Sequence, residues 1–146
     1  MCRRLSATSA IAIVILVALL APACQQKSSP TPTPAPQIIE DIAIGQAYAL
    51  IQDNQGNPDF AIIDVRTAEE YANGYIRTAI NSDYYSATFT DELNRLDKDK
   101  AYLIYCRSGR RSALALDIMK ELSFGEAYNM LGGILQWEAE GLPIVK

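Results

Sequence analysis

Two short runs of apolar residues predict buried strands in this chain. The first, FAIIDVR, spans residues 60–66, and the second, AYLIYC, spans residues 101–106. Neither run alternates regularly between apolar and polar side chains, as a strand with one face in water does. Nearly continuous apolar runs are typical of strands in a parallel sheet that is covered on both faces. A further strand is predicted in EAYNML, residues 126–131.

Helical segments are predicted between these runs. In TAEEYANG, Thr67 is placed as an N-cap, Glu70 follows three residues later, and Gly74 marks the stop. FTDELNRLD predicts another short helix, with Thr90 as its cap. Two more helices are predicted in IGQAYALIQDN, residues 44–54, and GGILQWEAEG, residues 132–141.

After residue 106 the apolar positions recur with a helical period. One helix face is predicted to carry Leu114, Ala115, Ile118, Met119 and Leu122. Strands that alternate with helices imply an α/β domain, with a mostly parallel central sheet and helices on both faces. We place this domain at residues 38–146, because 109 residues suffice for one domain and not for two.

The N-terminal segment, residues 1–23, reads as an export signal. Basic Arg3 and Arg4 precede an apolar run, residues 10–21, that is shorter than the roughly 20 residues needed to span a bilayer. The segment leads into LAPAC, which resembles a bacterial lipobox, although Pro22 departs from the usual pattern. The resemblance implies cleavage before a lipidated Cys24. A plain cleaved signal and an uncleaved anchor are the alternatives.

A proline-rich stretch, residues 24–37, follows and reads CQQKSSPTPTPAPQ. Alternating prolines favour extended polyproline II, so the stretch could reach roughly 40 Å. We interpret it as a tether that holds the domain off a membrane; a leader without a spacing role is the alternative. The protein is therefore expected to be exported, as a cell-membrane lipoprotein that faces the periplasm or the cell exterior.

Charge and composition exclude several functions. The formal net charge is −4, and it becomes −6 once Arg3 and Arg4 leave with the signal. An acidic domain is a poor general binder of nucleic acid, so no nucleic-acid partner is expected. The chain has no histidine, which excludes a serine–histidine triad, a cysteine–histidine pair and histidine-ligated metal. We expect neither a metal nor a cofactor.

Cys106 is the candidate nucleophile. Cys2 leaves with the signal and a lipidated Cys24 has no free thiol, so Cys106 lacks a disulfide partner. It ends a predicted buried strand just before a helix, where open α/β sheets bind ligands. Loop N–H groups, the helix N-terminus and nearby arginines all favour the thiolate, and Gly109 lets the loop curl. A buried, inert cysteine is the alternative.

Three segments in order resemble single-domain rhodaneses: DVRTAEEYANGYI, YCRSGRRSA and NMLGGILQWEAEGLPI. The resemblance covers residues 38–144. It implies that Cys106 takes a sulfane sulfur from a small anionic donor such as thiosulfate, holds it as a persulfide, and passes it to cyanide or another thiophilic acceptor. The loop residues that match the family's substrate-binding segment are Arg107, Ser108, Gly109, Arg110, Arg111 and Ser112.

Other positions are given supporting roles. We expect Asp64, Arg66 and Glu70 to form a charge network that fixes the loop after the first predicted strand. Trp137 is expected in the core. Arg77 and Thr78 stand where the family often has Pro-Gly, which changes the expected loop shape. Tyr84 and Tyr85 either edge the pocket or pack as ordinary loop residues.

Two other functions remain open. The related dual-specificity phosphatases share the fold, but their loop has one more residue between cysteine and arginine than the stretch from Cys106 to Arg111. The shorter loop suits a sulfur atom. The second alternative is a module that binds a small anion or a protein without turnover.

Overall fold

The computed structural model describes residues 36–146. The predicted signal, Cys24 and most of the predicted tether lie outside the described residues. Within the described part, no helix is both long enough and apolar enough to cross a membrane.

Five parallel strands form one central sheet. Their order across the sheet is β1-β5-β4-β2-β3, so β4 lies in the middle. The predicted α/β fold is confirmed, and the sheet that we expected to be mostly parallel is parallel throughout. The strands are β1 (Ile38–Ile42), β2 (Phe60–Asp64), β3 (Ile80–Asn81), β4 (Ala101–Tyr105) and β5 (Glu126–Met130).

Helices cover both faces of the sheet, as predicted. One face packs against apolar side chains from the first and last helices, and the other face packs against the third and fourth. Every predicted helix is present. The helices are α1 (Ile44–Asp53), α2 (Ala68–Ala72), α3 (Phe89–Asn94), α4 (Arg110–Glu121) and α5 (Gly133–Ala139).

The predicted cap of α2 is confirmed. The Glu70 backbone N–H donates to the Thr67 hydroxyl at 3.3 Å, and the Thr67 N–H donates to the Glu70 carboxylate at 3.2 Å. This reciprocal capping box satisfies two donors that a helix start leaves without intrahelical partners. It also fixes the Glu70 side chain, which matters for the site.

Two details of the predicted helices are wrong. Helix α3 begins at Phe89 after Thr88, so Thr90 is inside the helix and does not cap it. In α4 the buried face is Ser112, Ala115, Leu116 and Met119, whereas Leu114 is 44% exposed. The reason is geometric: the buried residues follow the three- and four-residue spacing of one face, and Leu114 lies off it.

Neither edge strand was predicted from the sequence. β1 contains the polar pair Glu40 and Asp41, and β3 is only two residues long. Edge strands are often short and carry charged residues, so they lack the apolar run that marks the central strands.

Thr78 adopts a left-handed backbone conformation, with φ of 69°. Thr78 stands where rhodaneses often have the glycine of a Pro-Gly pair. A β-branched residue is strained there, whereas glycine is not. The loop therefore keeps the backbone turn that glycine would adopt, and threonine at this position destabilises it locally.

A buried ion pair closes the end of β2. Asp64 is fully buried and Arg66 is 6% exposed. The Arg66 Nε lies 2.9 Å from the Asp64 carboxylate, and a terminal nitrogen donates to the Gly74 carbonyl at 2.7 Å. The pair thus ties the end of β2 to the segment that follows α2, which is the structural role expected for these two residues.

We predict that Asp64→Asn lowers the free energy of unfolding by about 3–5 kcal/mol, because it leaves the buried Arg66 charge without its partner. Equilibrium unfolding in urea measures the change. Asp59→Asn is the matched control: it makes the same substitution at an exposed residue just before β2 and should change stability little. Equal effects of the two variants would contradict the role of the pair.

Candidate active site

Cys106 lies directly after β4, the middle strand, and is 1% exposed. The neighbouring strands β5 and β2 run parallel to β4, so all three end at the same edge of the sheet. A three-residue loop leads from Cys106 to α4, which begins at Arg110. The cysteine therefore occupies the expected position, at the carboxyl edge of the sheet and in front of a helix.

The loop surrounds the sulfur with hydrogen-bond donors. The Gly109 N–H lies 3.2 Å from the Cys106 Sγ, and the Ser112 hydroxyl lies 3.5 Å from it. Gly109 has a φ of 91°, a left-handed conformation that glycine adopts readily. The predicted curl at Gly109 is confirmed, and it turns that N–H group toward the sulfur.

These donors shift the acidity of Cys106. Burial raises the pKa of the Cys106 thiol, but hydrogen bonds from the Ser112 hydroxyl and from surrounding backbone N–H groups outweigh it. The pKa therefore lies below its ordinary value, as predicted. Backbone N–H groups of the loop were among the expected causes, whereas the Ser112 hydroxyl was not, and arginine charge is not among the main causes.

Arg107, Ser108 and Arg110 are exposed. Their side chains therefore face solvent, although we expected them to surround the substrate. Their contribution to binding stays a prediction.

Backbone N–H groups at the start of α5 donate hydrogen bonds to the carbonyl groups of the cysteine loop. The N–H of Ile134 donates to the Cys106 carbonyl at 2.9 Å, and the N–H of Leu135 donates to the Arg107 carbonyl at 3.1 Å. A Cβ at Gly133 would lie 2.5 Å from the Cys106 carbonyl oxygen, so only glycine permits this approach. This role was not predicted from the sequence, although the Gly132–Gly133 pair after a predicted strand was a usable signal.

Arg111 does not present a free guanidinium. Its two terminal nitrogens donate to the two Glu70 oxygens at 2.7 and 2.8 Å. The hydrogen bond from Arg111 is the main reason that the pKa of Glu70 falls to about 2. The expected network is thus divided: Asp64 pairs with Arg66, whereas Glu70 pairs with Arg111. Direct anion binding by Arg111 stays a prediction.

Three aromatic residues take distinct places. Tyr85 is 69% exposed, and the Arg111 guanidinium carbon lies 5.5 Å from its ring centroid, so Tyr85 flanks the loop. Tyr84 packs edge-on against Phe89, 5.3 Å away, as an ordinary loop contact. Trp137 is 1% exposed, which confirms its predicted place in the core.

A large cavity lies away from the cysteine. It has a volume of about 790 Å³ and is lined by residues that include Tyr48, Phe60, Trp137 and Ile144, but not Cys106. The cavity lies beside the sheet face that α1 and α5 cover, and no charged pair or nucleophile of the site lines it. The Cys106 loop therefore stays the candidate site.

We predict that Ser112→Ala raises the pKa of Cys106, because it removes the hydroxyl donor and leaves the helix intact. The ultraviolet absorbance of the thiolate reports the titration, with Cys106→Ser as the blank. Ser108→Ala is the matched control, since it removes an exposed hydroxyl and keeps the backbone N–H. A wild-type Cys106 pKa at or above the usual value of about 8.5 would contradict the conclusion that hydrogen bonds to the sulfur lower its pKa.

Comparisons with known proteins agree with this geometry. The family model of the rhodanese-like domain matches residues 46–140. A sulfurtransferase of Allochromatium vinosum is 36% identical over 97 residues, which covers 66% of this chain and 89% of that protein. A tRNA uridine(34) hydroxylase of Teredinibacter turnerae is 32% identical over 103 residues, covering 68% of this chain but only 31% of that protein.

A solved structure shows the same fold. The crystal structure of a rhodanese-like domain protein from Staphylococcus aureus matches with a TM-score of 0.58 at 31% identity, covering 73% of this chain and 99% of that one. The segment that the family model matches contains β2, β4, β5 and the complete Cys106 loop. Motifs, fold and loop position therefore coincide, and the chain belongs to the family of rhodanese-like domains.

Proposed function

We propose that the protein is a sulfurtransferase that carries a sulfane sulfur as a persulfide on Cys106. The observation that carries this proposal is the Cys106 sulfur, buried at the end of the middle strand among N–H and O–H donors that lower its pKa. The similarity to a protein named sulfurtransferase supports it.

The first step is attack by the Cys106 thiolate on the outer sulfur of a donor such as thiosulfate. A new sulfur–sulfur bond forms on Cys106, the donor's own sulfur–sulfur bond breaks, and sulfite leaves with the electron pair. In the second step, cyanide or a thiolate attacks the outer sulfur of the persulfide. The acceptor leaves with that sulfur, and the Cys106 thiolate is regenerated.

The loop donors suit both steps. The cradle that stabilises the thiolate also offers hydrogen bonds to the anionic persulfide that replaces it. Cys106 is only 1% exposed, so a donor must reach it with a slender end. The single outer sulfur of thiosulfate meets that requirement.

The contacts of Arg111 favour sulfur transfer over phosphate-ester hydrolysis. A phosphatase loop needs an arginine fork for the phosphate oxygens, and here each terminal nitrogen of the corresponding arginine already donates one hydrogen bond to Glu70. The short stretch from Cys106 to Arg111 supports the same choice.

We predict that Cys106→Ser abolishes thiocyanate formation from thiosulfate and cyanide, because serine cannot hold the transferred sulfur as a persulfide. The colorimetric thiocyanate assay measures this. Cys24→Ser is the matched control: it makes the same substitution outside the domain and should leave the rate near that of the wild type.

Two results would contradict sulfur transfer. Hydrolysis of an aryl phosphate by wild-type protein, without thiocyanate formation, would support the phosphatase alternative. Wild-type protein that shows no turnover, while Cys106→Ser still binds the same partner, would support a binding module.

We also propose that the mature protein is a membrane lipoprotein anchored through Cys24. The short apolar segment at residues 10–21, the lipobox-like LAPAC sequence and the proline-rich stretch that follows support this. Stable anchoring by acyl chains takes more than one chain, and bacterial lipoproteins carry several on the cysteine.

For this anchor we expect Cys24→Ser to move the protein from the membrane fraction to the soluble fraction of its host. Cys106→Ser serves as the control and should stay with the membranes. Wild-type protein that is soluble and carries no lipid mass would show that the lipoprotein proposal is wrong.

A further inference from the structure

Arg111, in the first turn of α4, is already engaged by a carboxylate. Both terminal nitrogens of Arg111 donate to Glu70, and the side chains are 14% and 29% exposed, respectively. One Glu70 oxygen also accepts the Thr67 N–H at 3.2 Å, as part of the α2 capping box. The Glu70 carboxylate is therefore held in place from two directions.

This contact changes the charge at the site. Arg111 directly precedes Ser112, whose hydroxyl lies 3.5 Å from the Cys106 sulfur. Glu70 neutralises that arginine, while Arg107 and Arg110 lie exposed to solvent. The buried sulfur is stabilised mainly by uncharged donors. Little positive charge near the sulfur would therefore be available to stabilise a second negative charge on the donor.

We propose that Glu70 sets the donor specificity of this site: by occupying Arg111 it favours singly charged sulfane-sulfur donors, namely thiosulfonates and organic persulfides, over doubly charged thiosulfate. This inference rests on the proposed sulfur transfer at Cys106. Glu70 acts through Arg111 and is a positioning residue, not a catalytic one.

The charges in the transfer step separate the two donor classes. Attack by the Cys106 thiolate on thiosulfate brings three negative charges together and yields the anionic persulfide and the sulfite dianion. Attack on methanethiosulfonate brings two together, and methanesulfinate leaves with the electron pair of the broken sulfur–sulfur bond. A methyl group replaces one charged oxygen, so the two donors are matched in shape and differ in charge.

Glu70→Gln removes the negative charge of residue 70 but keeps the helix cap. Glutamine at this position can still accept the Thr67 N–H, because capping boxes use either glutamate or glutamine. It cannot hold both Arg111 nitrogens as a carboxylate does, so the arginine becomes available to a second anion. Glu69→Gln is the matched control, since Glu69 lies in the same first turn but is exposed.

The experiment compares kcat/KM for thiosulfate and for methanethiosulfonate, with cyanide as acceptor, in wild-type, Glu70→Gln and Glu69→Gln proteins. We expect wild type to prefer methanethiosulfonate. In Glu70→Gln the ratio of thiosulfate to methanethiosulfonate activity should rise by about tenfold, the scale of one hydrogen bond to a charged group. The gain should come from a lower KM for thiosulfate, and Glu69→Gln should keep the wild-type ratio.

An unchanged or lower ratio in Glu70→Gln, with both donors active and the urea midpoint unchanged, would overturn the inference and leave sulfur transfer standing. A wild-type preference for thiosulfate would do the same. Wild-type protein that makes no thiocyanate from either donor would overturn the proposed function, and this inference with it.

Discussion

A buried cysteine sulfur surrounded by hydrogen-bond donors is the constraint on which this site depends. A charge removed from water is costly unless donors surround it, and Cys106 is 1% exposed. The hydrogen bonds of the loop meet that cost: the Gly109 N–H and the Ser112 hydroxyl lie within 3.5 Å of the sulfur. Without these contacts the pKa of the Cys106 thiol would rise, because burial alone raises it.

The rest of the fold holds this cradle in place. Strand β4 has a neighbouring strand on each side, and it ends directly before Cys106 at the edge of the sheet. Helix α4 begins four residues after Cys106. The start of α5 then holds the loop through the carbonyls of Cys106 and Arg107, at an approach that only Gly133 allows. On the other side, Glu70 of α2 holds the first turn of α4 through Arg111. The loop is thus supported by secondary structure on both sides.

The sequence predicts the parts of this arrangement that depend on local patterns. Continuous apolar runs mark the central strands, Thr67 and Glu70 mark a capping box, and Gly109 marks the curl of the loop. Patterns at the edge of the sheet are weaker, so β1 and β3 escape detection. The Leu114 error has a similar origin, because an apolar residue is assigned to a helix face before the packing of that face is known.

The spacing of residues along the sequence does not predict which distant side chains pair. Glu70 and Arg111 are 41 positions apart, and only the fold brings them together. Asp64, Arg66 and Glu70 are close in sequence, which suggests one network, yet the capping box turns Glu70 toward Arg111 and away from the buried pair. The charge presented to a substrate follows from this pairing and not from the count of arginines in the loop.

The mass of the Cys106 peptide tests the central claim most directly. Purified protein is treated with a sulfane-sulfur donor, freed of excess donor, and digested for mass spectrometry before and after addition of cyanide. A cradle that stabilises a persulfide predicts one added sulfur atom on Cys106 and its loss after cyanide. A Cys106 peptide of unchanged mass at saturating donor would contradict it.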